Sequence, residues 1–76
     1  MYDMEELDLR GLKCPLPALM ARKKLAALAP GETIRVLAND PLSVVDIPHM
    51  CDEEGHALIE KKSAGSDLSF LIRRRG

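Results

Sequence analysis

Aromatic side chains are nearly absent from this sequence of 76 residues, which has one Tyr, one Phe and no Trp. It therefore has no row of aromatic rings on which nucleic-acid bases could stack, and no large aromatic ligand pocket. The longest apolar run, Leu25–Ala29, is far too short to span a bilayer, so no membrane association is expected. The N-terminus shows no charged start followed by an apolar block, which predicts a cytoplasmic protein without a signal peptide.

Net charge is also small, because 11 basic residues oppose 12 acidic ones. A chain with this balance has no overall field to attract nucleic acid, so we expect no direct nucleic-acid partner. The charges are nevertheless sorted, with acidic blocks over residues 1–8 and 40–60 and basic blocks over 10–35 and 61–76. We interpret the basic run Arg73–Arg75 as a solvated strand end. The blocks predict faces of opposite sign, which can meet different partners.

The length and the hydrophobic content of 46% predict a single small domain over residues 1–76, with one thin core. Hydrophobic periodicity and turn residues predict the element order β-α-β-α-β-β. The first helix begins at Pro15 and ends before Pro30-Gly31, and the second is capped by Asp40 and interrupted or kinked by Pro48. The predicted elements are strands at 4–9, 33–38, 57–62 and 68–73 and helices at about 15–29 and 41–54, with a hairpin loop at 63–67.

This order predicts an α/β two-layer sandwich, in which a mixed four-stranded sheet carries both helices on one face. Helical spacing places Ala21 and Leu25 at the centre of the buried face of the first helix. On the second helix the same spacing predicts that Val44, Ile47 and Cys51 are buried. The other sheet face is expected to be solvated and mostly polar, which favours a monomer.

Cys14 is the most informative residue, because it stands immediately before the first helix. Free amides and the helix dipole at this position favour a negative charge, and Arg10 and Lys13 add positive charge nearby. We therefore predict that the pKa of the Cys14 thiol lies below that of a free cysteine. Pro15 and Pro17 stiffen the segment and fix the direction of the sulfur.

The residues around Cys14 limit its chemistry. A dithiol oxidoreductase requires a second cysteine where Pro17 stands, and a cysteine hydrolase requires a histidine base that nothing in the sequence directs toward Cys14. His49, Cys51 and His56 match no standard zinc spacing, so neither metal nor cofactor is expected. A single nucleophilic thiol remains, which leaves three possible functions. The protein transfers sulfur through Cys14, or it is a thiol redox sensor, or it is an interaction module in which Cys14 has no chemical role.

The segment Arg10-Gly-Leu-Lys-Cys-Pro-Leu-Pro17 resembles the signature of the TusA/SirA family of small sulfur-carrier proteins. The similarity covers nearly the whole chain, from Leu7 to Arg74. It continues through Pro30-Gly31-Glu32, Asp40-Pro41, Asp46-Ile47-Pro48, Cys51, Gly55-His56 and Phe70–Arg73.

This resemblance implies sulfurtransferase activity by transpersulfidation, with a persulfide carried on Cys14 and no separate catalytic base. It implies a cysteine desulfurase or a rhodanese-type protein as sulfur donor and a downstream sulfur-carrier protein as acceptor. The pathways that it implies are tRNA thiolation, synthesis of a sulfur-containing cofactor, or sulfur oxidation.

A docking surface follows from the helical wheel alone. With Ala21 and Leu25 buried, the wheel places Leu16, Leu19 and Lys23 on the far side of the first helix and Met20 at its edge. Exposed apolar residues within one turn of a reactive sulfur are typical of a partner-binding patch. We predict an apolar footprint with a basic border, to which Arg22 and Lys24 also contribute.

Overall fold

The computed structural model describes residues 5–76. The predicted element order is confirmed. The elements are β1 (Glu5–Asp8), α1 (Leu16–Ala27), β2 (Thr33–Ala38), α2 (Ser43–Glu54), β3 (Ala57–Ala64) and β4 (Asp67–Arg73). Met4, with which the first strand was predicted to begin, lies outside the described residues. No helix within residues 5–76 has the length and apolar character needed to cross a membrane.

The four strands form one mixed sheet in the order β1-β2-β4-β3. Strand β1 pairs with β2 in parallel, and β4 pairs antiparallel with β2 on one side and β3 on the other. The parallel pair requires a long crossover, which α1 supplies, whereas β3 and β4 need only a tight hairpin. Their turn is shorter than predicted, because the two strands extend to Ala64 and Asp67, with Gly65 at a positive φ of 62°.

The core lies between the sheet and the two helices. Alternate residues of β2 and β4 are fully or almost fully buried, as the period of two along a strand dictates. Ala21 and Leu25 of α1 pack against this face, and Ile47 of α2 packs beside them, so both helices cover the same side of the sheet. The buried hydrophobic residues are Leu9, Ala21, Leu25, Ile34, Val36, Ala38, Ile47, Met50, Cys51, Leu68, Phe70 and Ile72.

Helix α2 departs from the sequence prediction in three respects. It begins at Ser43 after an N-cap at Leu42 without a side-chain cap, so the prediction that Asp40 caps it is wrong. It runs without a break through Pro48 to Gly55, whose left-handed conformation (φ 78°) ends it as predicted. Val44 is 40% exposed and not in the core, because α2 packs on the sheet through the face that carries Ser43, Ile47 and Met50.

Candidate functional site

Cys14 lies in the loop between β1 and α1, beside the loop that joins β2 to α2. Since β1 and β2 are parallel, both loops leave the same edge of the sheet, where α/β folds place their ligands. One bond continues the pairing of β1 with β2 up to the loops, and two more tie the loops together. The Leu9 amide donates to the Leu37 carbonyl (2.8 Å), the Gly11 amide to Asn39 Oδ1 (2.8 Å) and the Cys14 amide to Asp40 Oδ2 (2.7 Å).

The sulfur of Cys14 contacts a carboxylate that belongs to α2. Cys14 Sγ donates a hydrogen bond to Asp46 Oδ2 over 2.8 Å. Together with the bond from the Cys14 amide to Asp40, this contact means that two acidic side chains hold the residue, one at its backbone and one at its sulfur. Asp40 itself is only 7% exposed, because its side chain points into the junction of the loops and not toward the start of α2.

The predicted acidification of the Cys14 thiol is wrong. A hydrogen bond to Asp46, partial desolvation and the negative charges of Asp46 and Asp40 raise the pKa of Cys14 above the ordinary thiol value. The N-cap of α1 is Pro15, one residue beyond the cysteine, and the Leu16 amide is occupied by the Lys13 carbonyl at 2.8 Å. The helix terminus therefore does less for the sulfur than its position in the sequence indicates.

Arg10 does not provide the expected cation beside the sulfur either. Its guanidinium pairs with Asp8 through bonds of 2.9 Å and 2.8 Å and holds the pKa of that carboxyl at about 2. Arg10 is therefore engaged at the end of β1, and its charge is not among those that shift the pKa of Cys14. The other three supporting residues differ in exposure, since Lys13 and Pro15 are exposed, whereas Pro17, in the first turn of α1, is buried.

A shallow open groove of ≈ 290 Å³ begins at Cys14 and lies between the two helices. Apolar side chains of α1 and the charged Arg22 form one wall, and polar or charged side chains of α2 form most of the other. The groove is lined by Cys14, Pro15, Ala18, Leu19, Arg22, Asp46, His49, Met50 and Glu53. Such a groove can receive a narrow segment of a partner while it leaves the sulfur accessible.

The apolar residues predicted to face outward on α1 are exposed. Leu16, Leu19 and Met20 are 46%, 44% and 41% exposed, and Lys23 lies beside them. They line a second hollow together with Arg22, Ala26 and Glu54. Lys24 differs from its neighbours, because it forms an ion pair with Glu5 and is half-buried. The exposed apolar patch is thus a property of the structure, whereas its use in docking stays a prediction.

The second cysteine and the histidines occupy different surroundings. Cys51 is 1% exposed, as expected of a core residue, and burial raises the pKa of its thiol to about 11. His49 lines the groove that Cys14 also lines, and its imidazole lies 3.5 Å from Glu53. His56 accepts the Arg75 amide at 3.2 Å, at the start of β3. No three His, Cys, Asp or Glu side chains within residues 5–76 are arranged to hold a metal ion.

Sequence reasoning therefore singled out Cys14 and missed the acidic side chains that contact it. Asp40-Pro41 and Asp46-Ile47-Pro48 were visible as parts of the family-like pattern, but the helix-start rules assigned Asp40 to a cap, and Asp46 was given no role. Only the side-by-side placement of the two loops brings Asp40 and Asp46 to Cys14, over 26 and 32 residues of sequence.

Comparison with known proteins agrees with this architecture. The chain resembles a SirA-like protein from Desulfitobacterium hafniense of known crystal structure, with a TM-score of 0.82 and 25% sequence identity over 96% of this chain and 100% of that one. The family model described as sulfurtransferase TusA matches residues 5–74, which is nearly the whole sequence. With the sheet order, the Cys-Pro-x-Pro loop and this match in agreement, the chain belongs to the TusA sulfurtransferase family.

Proposed function

We propose that this chain is a sulfur carrier that accepts a sulfur atom on Cys14 as a persulfide and passes it to an acceptor protein. The observation that supports this most strongly is the contrast between the two thiols. Cys14 is exposed at the open edge of the sheet, whereas Cys51 is buried in the core. Membership of a sulfurtransferase family gives an exposed thiol in this loop a specific chemistry.

The reaction needs little machinery beyond the thiol. In transpersulfidation a thiolate attacks the terminal sulfur of a persulfide, a new S–S bond forms, and the donor cysteine leaves with the electrons of the old bond. The rate depends on thiolate fraction, on the leaving group and on access, and the open groove beside Cys14 provides access. A cysteine desulfurase or a rhodanese-type protein is the donor that we propose, and a further sulfur-carrier protein the acceptor.

A redox sensor is a weaker interpretation of the same thiol. Sensor cysteines are acidic thiols that are frequently placed next to a resolving cysteine. Here the Asp46 contact raises the pKa of Cys14, and Cys51 is enclosed in the core. Neither feature favours oxidation to a sulfenic acid followed by disulfide formation.

Sulfur loading measured by intact mass tests the proposal. The protein is incubated with a cysteine desulfurase and cysteine, and we expect a gain of one sulfur that reducing agent removes. Cys14→Ser should abolish the gain, and Cys51→Ser should retain it if circular dichroism shows that the variant is folded. Normal loading of Cys14→Ser would refute the assignment of the carrier residue, as would loss of loading in a folded Cys51→Ser protein.

Failure of the unmodified protein to load from either a desulfurase or a rhodanese-type donor would favour the interaction module. Oxygen adducts that appear only with peroxide would favour the redox sensor. The mass of the product thus separates the three functions that an exposed thiol on this fold can have.

A further inference from the structure

The contact between Cys14 and Asp46 has a chemical direction. Over the 2.8 Å that separate Cys14 Sγ from Asp46 Oδ2, the sulfur is the donor and the carboxylate is the acceptor. An ionised carboxylate can only accept, so the bond exists while the sulfur carries its proton and turns into a repulsion between two anions when the proton leaves. The second bond, from the Cys14 amide to Asp40, fixes the backbone that carries the sulfur.

We propose that Asp46 is a positioning residue that keeps the proton on the resting Cys14 thiol and so makes the free carrier a slow nucleophile. This role of Asp46 concerns the chemistry of the unloaded thiol. Only its biological purpose rests on the proposed sulfur-carrier function. A carrier that travels between a donor and an acceptor meets oxidants and electrophiles on the way. A thiol held in its protonated form reacts with them slowly.

The charges that face the sulfur support this direction. The loop before α2 contributes the carboxylate of Asp40, and α2 contributes those of Asp46 and Glu53. The imidazole of His49 also lies on α2. On the side of α1, the groove is lined by the guanidinium of Arg22. Lys13 adjoins the cysteine in sequence, and Arg10 is paired with Asp8. The two charges that act on the thiol, Asp46 and Asp40, both raise its pKa.

The transfer step still balances with this restraint. The Cys14 proton leaves to solvent, the Cys14 sulfur forms a bond to the terminal sulfur of the donor persulfide, and the S–S bond of the donor breaks. The donor cysteine departs as a thiolate and takes up a proton, so one persulfide and one thiol give one persulfide and one thiol. No oxidant or reductant is consumed. Asp46 affects only how readily the Cys14 proton is lost.

The test is the pH profile of Cys14 alkylation by iodoacetamide, an uncharged probe, in wild-type protein and in Asp46→Asn. The alkylated peptide is identified by mass, so that Cys51 does not contribute. We expect the midpoint of the profile to move to lower pH in the variant. For a tenfold gain in thiolate near neutral pH, the accompanying loss of intrinsic nucleophilicity is roughly threefold, so the net rate rises roughly threefold.

At alkaline pH, where both proteins are thiolates, the order should reverse and Asp46→Asn should react more slowly. A crossing of the two profiles is a signature that looser packing would not produce, because a structural defect changes access at every pH in the same direction. Glu53→Gln is the matched control, since it removes one negative charge from the same groove without touching the sulfur. We expect it to follow the wild-type profile.

An unchanged midpoint in a folded Asp46→Asn protein would overturn the proposal, and so would an equal displacement in Glu53→Gln. A rate that falls at neutral pH would assign Asp46 the opposite role, as a base that assists proton loss. Because the assay uses no sulfur donor, its result does not depend on the proposed function. If sulfur loading failed but the alkylation profiles crossed, the sulfur-carrier function would be wrong. The role of Asp46 in keeping the proton on the Cys14 thiol would still hold.

Discussion

Cys14 shows that the acidity of a thiol depends on its tertiary contacts more than on its place in the sequence. A position next to a helix N-terminus lowers a thiol pKa when the free amides and the dipole act alone. Here a carboxylate that is distant in sequence accepts a hydrogen bond from the sulfur over 2.8 Å, and a short hydrogen bond to a charged acceptor outweighs a diffuse dipole. The result is an exposed cysteine whose resting form is the thiol.

Asp40 binds the backbone amide of the same cysteine, and this hydrogen bond contributes to the stability of the fold. Its carboxylate accepts the Cys14 amide at 2.7 Å in a nearly buried site. Asp40→Ala removes a charged acceptor and leaves the amide without a partner, which should lower the free energy of unfolding by about 1.5–3 kcal/mol. Urea unfolding measures the loss. Asp52→Ala, at an exposed acid of α2, is the control and should change stability by no more than about 0.5 kcal/mol. Equal losses in the two variants would contradict the role given to Asp40.

The helices show which structural features the sequence could predict. The apolar period of α1 was sufficient to orient it, because Ala21 and Leu25 repeat at helical spacing and the opposite side carries Lys23, with Met20 at its edge. Periodicity failed on α2, where apolar residues occur on several sides of the helix, so that Val44 and Met50 were equally good candidates for the core. Packing of α2 against the sheet buries Met50 and leaves Val44 exposed. The sequence of one helix does not show how that helix packs against the rest of the fold.

The same limit applies to the site. Cys14 could be singled out as the candidate nucleophile because it and its prolines form a local pattern. Its carboxylate partners were not, because a strand pairing brings their loop to the cysteine, and the sequence shows strand pairing only indirectly. Asp40 was assigned to a helix cap for the same reason. Local rules gave its carboxylate a role at the start of α2, whereas its bond to the distant Cys14 amide could not be read from the sequence.

Helix α1 also carries the exposed apolar residues that we predict to dock a partner beside the sulfur. Leu19 is 44% exposed and lines both the groove at Cys14 and the adjoining hollow. If a sulfur donor buries this side chain, Leu19→Asp removes about 1.5–3 kcal/mol of apolar burial and places a charge in the interface. We expect kcat/KM for sulfur transfer from a protein donor to fall roughly tenfold or more, since each 1.4 kcal/mol is about a factor of ten.

The control for Leu19→Asp is Ile59→Asp, which makes the same kind of change at a similarly exposed residue, 47% exposed, on the edge strand β3. It should transfer sulfur at the wild-type rate. Circular dichroism must show both variants folded. Unchanged transfer by a folded Leu19→Asp protein would exclude this face from docking, and equal losses in both variants would indicate a general defect.

At the scale of the whole molecule, the residues after β4 hold separate parts of the chain together. The Arg74 amide donates to the Glu32 carbonyl (2.8 Å) and its guanidinium to the Leu25 carbonyl at the end of α1 (2.9 Å). The next residue bonds to the start of β3, where the Arg75 amide donates to His56 Nδ1. The segment thus links the first helix, the turn before β2 and the edge strand, and it places two cations beside one imidazole.

This arrangement gives the fold a pH-dependent contribution from His56. Desolvation and the charges of Arg74 and Arg75 lower the pKa of His56 below 6.5, because a protonated imidazole would lose its bond from Arg75 and meet two like charges. Below about pH 6.5 the imidazole of His56 therefore binds a proton more readily in the unfolded chain than in the folded one. The free energy of unfolding falls as the pH falls from about 6.5 toward the pKa of the folded state. Above that range the contribution is fully present.

His56→Gln isolates this effect, because a glutamine oxygen can accept the Arg75 amide but does not titrate in this range. The free energy of unfolding is measured in urea at several values between about pH 7.5 and pH 5. We expect wild type to lose more stability over this interval than His56→Gln, while the acidic residues contribute equally to both proteins. Parallel pH profiles would show that the imidazole is as free to protonate in the fold as in the unfolded chain. The closing of the C-terminal segment on His56 would then be independent of pH.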